Sequence, residues 1–314
     1  MIKAEIKDKE LLQHLDSIEK DGMSIFVMAE GRYRGAFFNG TRFINQMRAN
    51  HNLGILETLV LGQGALCAAL MIPTIKGMGR LVFRYDTNGP AAGFVVEADS
   101  AGGVRGYLLQ DPIPIDKPLE SWDLSPFFGP GVLTVTRINE GAREPQIGAV
   151  EIQHKNIAQD LTWYFAQSEQ INTAFNTSIQ FDKEGRVIGA GGMFIQKMPG
   201  FGGKRSETFA DMSEEDLTFA VEHAFGAAPS YGQWFAEKGN REDIIYGLFR
   251  NFNPSTVLER DITFSCPCSQ EKYTQAIKNL GKEELDDIKA KDPDPLEVVC
   301  HNCGSVYYIP KASL

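Results

Sequence analysis

Four of the five cysteines in this 314-residue chain lie near its C-terminus as two close pairs. The first pair is Cys266-Pro267-Cys268 and the second is Cys300-His301-Asn302-Cys303. Four thiolates delivered as two pairs suit the tetrahedral geometry that Zn²⁺ prefers in Cys₄ sites. The sequence therefore predicts one zinc ion per chain, bound by Cys266, Cys268, Cys300 and Cys303. His301 is an alternative ligand, but with four thiolates at hand we expect it at the surface; unligated cysteines are the less favoured interpretation.

The spacing of the first pair gives the predicted site a second kind of chemistry. Zinc ribbons normally use two pairs with two intervening residues, whereas only Pro267 separates Cys266 from Cys268. A disulfide across Pro267 would close a small, strained ring, which makes it easier to reduce than a relaxed bridge. Zinc-bound sulfurs are thiolates, the form that peroxide or hypochlorous acid attacks. Such a site can be oxidised and later reset.

The segment that carries these cysteines is small. About fifty residues cannot build a sufficient core, so zinc binding should supply on the order of 10 kcal/mol of its folding free energy. Tyr273, Val306, Tyr307 and Tyr308 are predicted to form a small core around the metal. Oxidation would release the metal and unfold the segment.

Composition excludes several functional classes. The net charge of −10 and the pI near 5.1 argue against a nucleic-acid partner, which would need clustered Lys and Arg. The charged N-terminus lacks a signal-peptide pattern and no other stretch is expected to reach transmembrane length, so we expect a cytoplasmic protein with no membrane partner. Static disulfides are rare in that compartment, and Cys67, in an apolar run, is predicted to be a buried small hydrophobic residue.

The chain reads as an α+β fold. Between Met23 and about Gln196, β-branched and aromatic runs alternate with turn residues at hairpin spacing, which favours antiparallel pairing. The predicted strands are 24–29, 80–85, 93–98 and 132–138. Helices are predicted over 57–71 and 157–168, the second capped by Asn156, and both should pack on sheet.

The pattern changes after residue 200. Short helices are predicted after the Ser213 cap and over 241–249, and helices this short need something to pack on. We predict an N-terminal antiparallel-sheet domain with packed helices (1–200), a helical linker that docks on a neighbour (201–258), and a small C-terminal zinc-binding domain (259–314). Glycine-rich stretches 62–64 and 189–192 lack a full phosphate-binding motif and are interpreted as tight turns.

Several motifs together resemble one known family. They are Phe264-Ser265-Cys266-Pro267-Cys268-Ser269, residues 280–285, Cys300-His301-Asn302-Cys303-Gly304 with Tyr307, and, upstream, residues 104–108, 164–170 and 191–199. The chain is similar over nearly its whole length to the 33-kDa class of redox-regulated heat-shock chaperones, also called the 33 kDa chaperonin. Its linker departs from the family by a Gly- and aromatic-rich composition, as in Phe201-Gly202-Gly203 and 231–235.

The resemblance implies a function without catalysis. It implies a reduced, zinc-bound, inactive form and an oxidised, zinc-free form that holds unfolding client proteins without ATP. By position, Cys266 would pair with Cys268 and Cys300 with Cys303 in the active form, which would be a homodimer. We further hypothesise that apolar linker residues cover or become the client surface; these are Leu217, Val221, Phe225, Trp234, Phe235, Ile244, Ile245, Leu248 and Phe249.

Two other functions use the same cysteines. A zinc ribbon that binds nucleic acid is disfavoured by the acidic pI and by the spacing of the first pair. A thiol-disulfide oxidoreductase would use Cys300 and Cys303 as a catalytic pair, which should then begin a helix after a strand in a thioredoxin-like unit. No catalytic residue is expected, since His154 and His223 complete no triad or metal motif.

Overall fold

The computed structural model describes residues 1–115, 121–200, 208–209 and 211–314. Within them the predicted α+β fold is confirmed. The strands are β1 Gly22–Met28, β2 Tyr33–Asn39, β3 Arg80–Thr87, β4 Gly93–Asp99, β5 Gly103–Leu108, β6 Gly131–Ile138, β7 Gln146–Glu151, β8 Thr173–Phe181, β9 Val187–Lys197, β10 Ser255–Arg260, β11 Thr263–Phe264, β12 Leu296–Val299 and β13 Val306–Ile309. The α-helices are α1 Lys9–Ser17, α2 Thr41–His51, α3 Ile55–Met71, α4 Ile157–Tyr164, α5 Glu214–Gly226, α6 Tyr231–Ala236, α7 Arg241–Leu248, α8 Gln270–Lys278 and α9 Lys282–Lys291.

Two large sheets and one hairpin carry the fold. One sheet has the order β10-β1-β2-β9-β8 and the other β11-β5-β4-β3-β6-β7, while β12 and β13 pair with each other. All neighbours are antiparallel except β11 and β5, which are parallel. Gly102, at φ +97°, allows the chain before β11 to approach the β4–β5 turn, because a Cβ there would lie 2.3 Å from the Asp261 carbonyl oxygen.

Helix α3 forms the centre of the main core, in contact with strands of both sheets. The expectation that no stretch reaches transmembrane length is wrong by length alone, since Ile55–Thr74 is long and apolar enough, yet 89% of its most apolar window is buried within the protein. Helices that are apolar all round are found in the cores of large proteins as well as in membranes. Cys67 lies on α3 and is fully buried, as predicted.

The interpretation of the glycine-rich stretches as turns is wrong. Gly62 and Gly64 lie inside α3, and Gly189 to Gly192 lie inside β9. A Cβ at Gly64 would lie 2.5 Å from the Phe94 ring, and one at Gly189 would lie 1.8 Å from the Gly232 carbonyl oxygen of α6. These glycines allow close packing of neighbouring elements, a long-range requirement that local sequence does not reveal.

Helices α5, α6 and α7 pack on the face of the five-stranded sheet opposite α3. Alternate side chains of a strand point to opposite faces, so Phe38 packs in the core around α3 while Phe37 packs against helices α5, α6 and α7. These three helices lie in the predicted linker and are called the linker helices below. The Phe37 ring lies 4.9 Å from the Tyr231 ring and 5.3 Å from the Phe235 ring, measured between centroids. The linker helices thus have the neighbour that helices of their length require.

Both predicted helix caps are confirmed, whereas the end of the predicted linker is a strand. Asn156 and Ser213 accept hydrogen bonds from the backbone N–H groups three residues later, which confirms both predicted caps. Residues 255–258, which end the predicted helical linker, lie in β10 and pair with β1, as suits their β-branched residues. The linker start, including Phe201-Gly202-Gly203, lies outside the described residues.

The first prediction concerns the packing of the linker helices. Phe235→Ala removes a fully buried ring, so we expect the free energy of unfolding to fall by about 3–5 kcal/mol, or α5–α7 to open locally. Denaturant unfolding together with amide hydrogen exchange over residues 211–252 measures both effects. Phe219→Ala, at a ring 71% exposed on α5, is the matched control and should change stability by less than about 0.5 kcal/mol. Equal effects of the two variants would contradict the packing described.

Candidate metal centre

Two loops bring the cysteines together. Cys266 and Cys268 follow β11, which is held on β5 by the hydrogen bond from Ser265 N to Val104 O at 3.0 Å. Cys300 and Cys303 lie in the turn between β12 and β13, where Cys300 N donates to Ser305 O and Gly304 N donates to Cys300 O, both at 2.8 Å. A left-handed residue closes this turn, since Gly304 has φ +65°. Each pair is therefore fixed by a strand on its flank.

The four sulfur atoms form a compact cluster. All lie within 4.8 Å of one another, with Cys268 and Cys303 Sγ 3.4 Å apart and Cys266 and Cys300 Sγ 3.8 Å apart. Zn–S bonds of about 2.3 Å in a regular tetrahedron would place sulfurs about 3.8 Å apart, and a disulfide would place them at about 2.05 Å. The separations fit four ligands around one ion, and all four cysteines are free thiols.

Burial acts against thiolates at this site. Burial raises the pKa of the Cys303 thiol, although hydrogen bonding to Ser305 lowers it in part. Burial likewise raises the pKa of Cys266, against the effect of hydrogen bonds from the Cys268 N–H and from Arg105. For Cys268, burial is outweighed by hydrogen bonds, first from Tyr307, which lower the pKa to about 7. A cation bound among the four sulfurs would favour all of them as thiolates.

Residues far away in sequence hold the cysteine loops in place. Asn50, on α2, donates from Nδ2 to Cys303 O at 3.0 Å, and Gly106 N donates to Asn302 O at 3.1 Å. The Met1 amine donates to Cys268 O at 2.7 Å. A Cβ at Gly304 would lie 2.2 Å from Asn50 O, so only glycine permits this approach. The cluster is thus docked on α2, on β5 and on the N-terminal segment.

The predicted small core is partly wrong. Tyr307 is buried and its hydroxyl lies 3.2 Å from Cys268 Sγ, while Tyr273 and Val306 are half-buried. Tyr308 is 56% exposed, because alternate residues of β13 point to opposite faces and Tyr307 and Ile309 take the inward positions. Cys266, Cys300, Cys303 and Tyr307 belong to the main core that contains α3, so the cysteine site has no separate core.

Arg105 is a site residue that the sequence analysis did not single out. Its Nη1 donates to Cys266 Sγ at 3.4 Å, and its Nη2 and Nε donate to Glu97 Oε2 at 2.5 and 3.0 Å. Arg105 lies within the stretch 104–108 that carried the family resemblance, which was the available signal. Its proximity to Cys266 depends on the pairing of β11 with β5, which no local pattern predicts.

His301 is not among the clustered ligand atoms. It is exposed, and its ring lies 4.0 Å from the Tyr107 ring. The pair Cys300 and Cys303 joins two strands and does not begin a helix, which disfavours the oxidoreductase interpretation.

The proposed client-surface residues are mostly buried in this structure. Trp234 and Leu248 are half-buried. The other seven contribute to the cluster between the linker helices and the five-stranded sheet; they are Leu217, Val221, Phe225, Phe235, Ile244, Ile245 and Phe249. A client could contact these seven side chains only after the helices move.

Comparison with known proteins gives one consistent likeness. The family model described as Hsp33 protein matches residues 21–310. The 33 kDa chaperonin of Geobacter sp. (strain M21) is 30% identical over 289 residues, covering 92% of this chain and 93% of that protein. The 33 kDa chaperonin of Citrifermentans bemidjiense is 32% identical over 275 residues, with 87% and 88% covered.

A solved structure agrees with the sequence matches. The crystal structure of the 33 kDa chaperonin (heat shock protein 33 homolog) from Thermotoga maritima superposes with a TM-score of 0.80 at 27% identity. The superposition covers 94% of this chain and 96% of that chain. The likeness in structure therefore extends over nearly the whole of both chains.

The second prediction tests the metal centre. The reduced chain should bind about one zinc per molecule, and chelation should destabilise residues 265–314. Cys303→Ser removes one buried sulfur ligand and should lower zinc affinity at least tenfold, as measured by competition with a chromophoric chelator. Cys67→Ala, far from the cluster in α3, is the control and should retain one zinc. Zinc retained by Cys303→Ser at full affinity would contradict the Cys₄ assignment.

Proposed function

This chain belongs to the Hsp33 protein family, and from that premise we propose that it is a redox-regulated, ATP-independent chaperone that holds unfolding proteins during oxidative stress. The observation that carries the proposal is the cluster of four free thiols, spaced for one metal ion, docked on α2 and β5 and packed against the main core. In the reduced, inactive form, Cys266, Cys268, Cys300 and Cys303 hold Zn²⁺. Bound zinc keeps the four sulfurs as thiolates and links the two cysteine loops.

In the active form we propose disulfides between Cys266 and Cys268 and between Cys300 and Cys303. A disulfide sulfur carries no negative charge and is a much weaker zinc ligand than a thiolate, so oxidation of the cysteines would release zinc. The cysteine loops would then lose the geometry that docks Cys303 O on Asn50 and Asn302 O on Gly106. The C-terminal region would detach and unfold.

A continuous route connects this region to the linker helices. Cys266 follows β11, a two-residue strand, and β11 follows β10, an edge strand on β1. Arg241, at the start of α7, donates to Glu259 of β10 at 3.1 Å and to Ser24 of β1 at 2.9 Å. Detachment of β11 would weaken β10, and loss of β10 would remove one of the contacts of α7.

Release of the linker helices would create the client surface. Leu217, Val221, Phe225 and Phe235 would leave the sheet, and the sheet would expose Phe26 and Phe37. Apolar surface of this kind is non-directional, which suits unfolded clients of any sequence. The same newly exposed face would support the homodimer that we propose for the oxidised form.

The proposed organisation follows the sequence with one change. We propose a chaperone domain (1–200), a linker (201–258) and a redox-switch domain (259–314), with 255–258 serving as part of the N-terminal sheet in the reduced form. We place the protein in the cytoplasm, where thiols are kept reduced until stress. The net charge of −10 supports a protein client over nucleic acid.

The third prediction tests the switch directly. Zinc-loaded, reduced chain should fail to suppress aggregation of a chemically unfolded client, and peroxide-treated chain should suppress it near equimolar ratio. Light scattering measures aggregation, with zinc release and free thiols followed in the same sample. Loss of four thiols with release of about one zinc is expected. Equal suppression by the two forms would refute redox control, and catalytic reduction of insulin would favour an oxidoreductase.

The fourth prediction distinguishes the effect of linker-helix docking on client binding from the effect of zinc release. If the buried linker face is the client surface, Phe235→Ala should suppress aggregation in the reduced state while still holding one zinc, because it weakens helix docking and leaves the cysteines unchanged. At least several-fold more suppression than the reduced parent is expected in the same light-scattering assay. Phe219→Ala should behave like the parent. Full zinc loading with no gain in suppression would contradict the proposed surface.

A further inference from the structure

Three cations lie beside the cysteine loops, and they differ in what they contact. The Lys272 amine donates to Pro267 O at 2.6 Å, and the Met1 amine donates to Cys268 O at 2.7 Å. Arg105 instead donates to a sulfur, Cys266 Sγ, at 3.4 Å. A carbonyl oxygen keeps its acceptor strength when a cysteine is oxidised, whereas a thiolate that becomes a disulfide sulfur loses its charge. The Arg105 contact is the one of the three that senses oxidation directly.

The fork of the Arg105 guanidinium spans two acceptors. One edge holds Glu97 Oε2 through Nη2 and Nε, at 2.5 and 3.0 Å, while Nη1 faces Cys266. The side chain is 19% exposed and that of Glu97 is 25% exposed, so solvent screens the group only in part. Glu97 and Arg105 are directly opposed on β4 and β5, which fixes the guanidinium at the sheet edge where β11 pairs. The pairing of β4 with β5 and the Glu97 carboxylate therefore position the donor that faces the sulfur.

We propose that Arg105 is a positioning residue of the redox switch, which holds the thiolate form of Cys266 against β5 and releases it when that sulfur enters a disulfide. This inference rests on the proposed function and adds a residue outside the cysteine motifs to it. Arg105 links the charge of the cysteine cluster to the edge of the six-stranded sheet, from which the route through β11 and β10 begins.

The charge change at the site follows from the balanced reaction. Four thiolates around one Zn²⁺ carry a net charge of −2. Two molecules of hydrogen peroxide and four protons convert them to two disulfides, four waters and free Zn²⁺, and the four sulfurs supply the four electrons that the hydrogen peroxide takes up. The sulfur cluster passes from −2 to neutral. Arg105 then keeps Glu97 as its partner and loses its attraction to the Cys266 loop.

The contact between Arg105 and Cys266 favours the reduced side of the thiol–disulfide equilibrium. A donor that binds the thiolate form more tightly than the disulfide form stabilises the reduced, zinc-binding state by that difference. Removal of Arg105 should lower zinc affinity and shift the thiol–disulfide equilibrium towards the disulfide. Peroxide should also release zinc faster, because a thiolate that lacks a hydrogen-bond donor is a stronger nucleophile.

The test uses full-length variants. Arg105→Met keeps an unbranched apolar stem but loses the charge and the donors, and should bind zinc about tenfold more weakly, as expected for one lost charge-assisted hydrogen bond. Peroxide should release its zinc several-fold faster. In the cobalt-substituted chain, the sulfur-to-cobalt charge-transfer absorption should shift, which a purely structural role would not cause. Circular dichroism should show the two sheets unchanged.

Two controls separate sulfur contact from cross-strand pairing. Glu97→Gln breaks the same ion pair but leaves Arg105 beside Cys266, so its zinc affinity should stay at or above that of the parent. Arg84→Met removes an exposed ion pair with Asp86 on β3 of the same sheet and should match the parent in all measurements. If Glu97→Gln loses zinc as strongly as Arg105→Met, the residue acts only through strand pairing and the proposal is overturned.

The remaining outcomes are also decisive. Parental zinc affinity, cobalt spectrum and release rate in Arg105→Met would overturn the proposal. If that variant does not fold, Arg105→Gln, which can still donate to Glu97, takes its place, and unchanged zinc affinity there would overturn it equally. If Arg105→Met behaves like the parent, and the parent suppresses client aggregation only after oxidation, the role of Arg105 is refuted and the proposed function stands. If the parent suppresses client aggregation equally before and after oxidation, the proposed function is refuted, even where Arg105→Met weakens zinc binding.

Discussion

Four sulfur atoms confined within 4.8 Å of one another are the constraint on which the C-terminal region depends. Helices α8 and α9 contain no buried residue, so they add almost no hydrophobic stabilisation to the region that carries them. The buried side chains of residues 265–314 are few, and they are Cys266, Leu296, Cys300, Cys303, Ser305, Tyr307 and Ile309. Thiolates packed this closely repel one another unless a cation lies among them. A cation bound among the sulfurs would relieve this repulsion, so in the proposed function the stability of the C-terminal region depends on whether its sulfurs are metal ligands.

The elements that lie between the main core and the cysteines are less stable than the core itself. Helix α3 and the two sheets form one continuous core of large, fully buried side chains. The elements between that core and the cysteines are weaker: β11 has two residues, β10 is an edge strand, and the linker helices are short. Local opening follows such differences, because elements with few buried contacts open at a free energy below that of global unfolding. A disturbance at the cysteines would thus reach the edge strand β10 and helices α5–α7 before it reaches the inner strands of the two sheets.

Local and pairwise patterns in the sequence predicted the parts of the structure that depend on near neighbours. The strands around 80–85 and 93–98, the caps at Asn156 and Ser213 and the spacing of the cysteine pairs belong to this class. What was missed depends on distant partners. Residues 255–258 become a strand because β1 has an open edge, Gly64 lies in a helix because Phe94 packs on it, and Tyr308 points outward because β13 pairs with β12 in one register. Arg105 reaches Cys266 by the same kind of long-range pairing.

The site combines contacts that oxidation changes with contacts that it does not. Asn50 Nδ2, Gly106 N and the Met1 amine donate to carbonyl oxygens, and these bonds depend on the shape of the loops. The Arg105 contact depends on the charge of one sulfur. A switch built only on loop shape would release the C-terminal region after the loops had already rearranged. In the proposed switch, the charge contact of Arg105 would weaken when the Cys266 thiolate is consumed, which would favour the rearrangement that follows. Glu97 would keep the Arg105 guanidinium in place in the oxidised form. When the disulfide is reduced, the Cys266 thiolate would therefore find its hydrogen-bond donor in the same position.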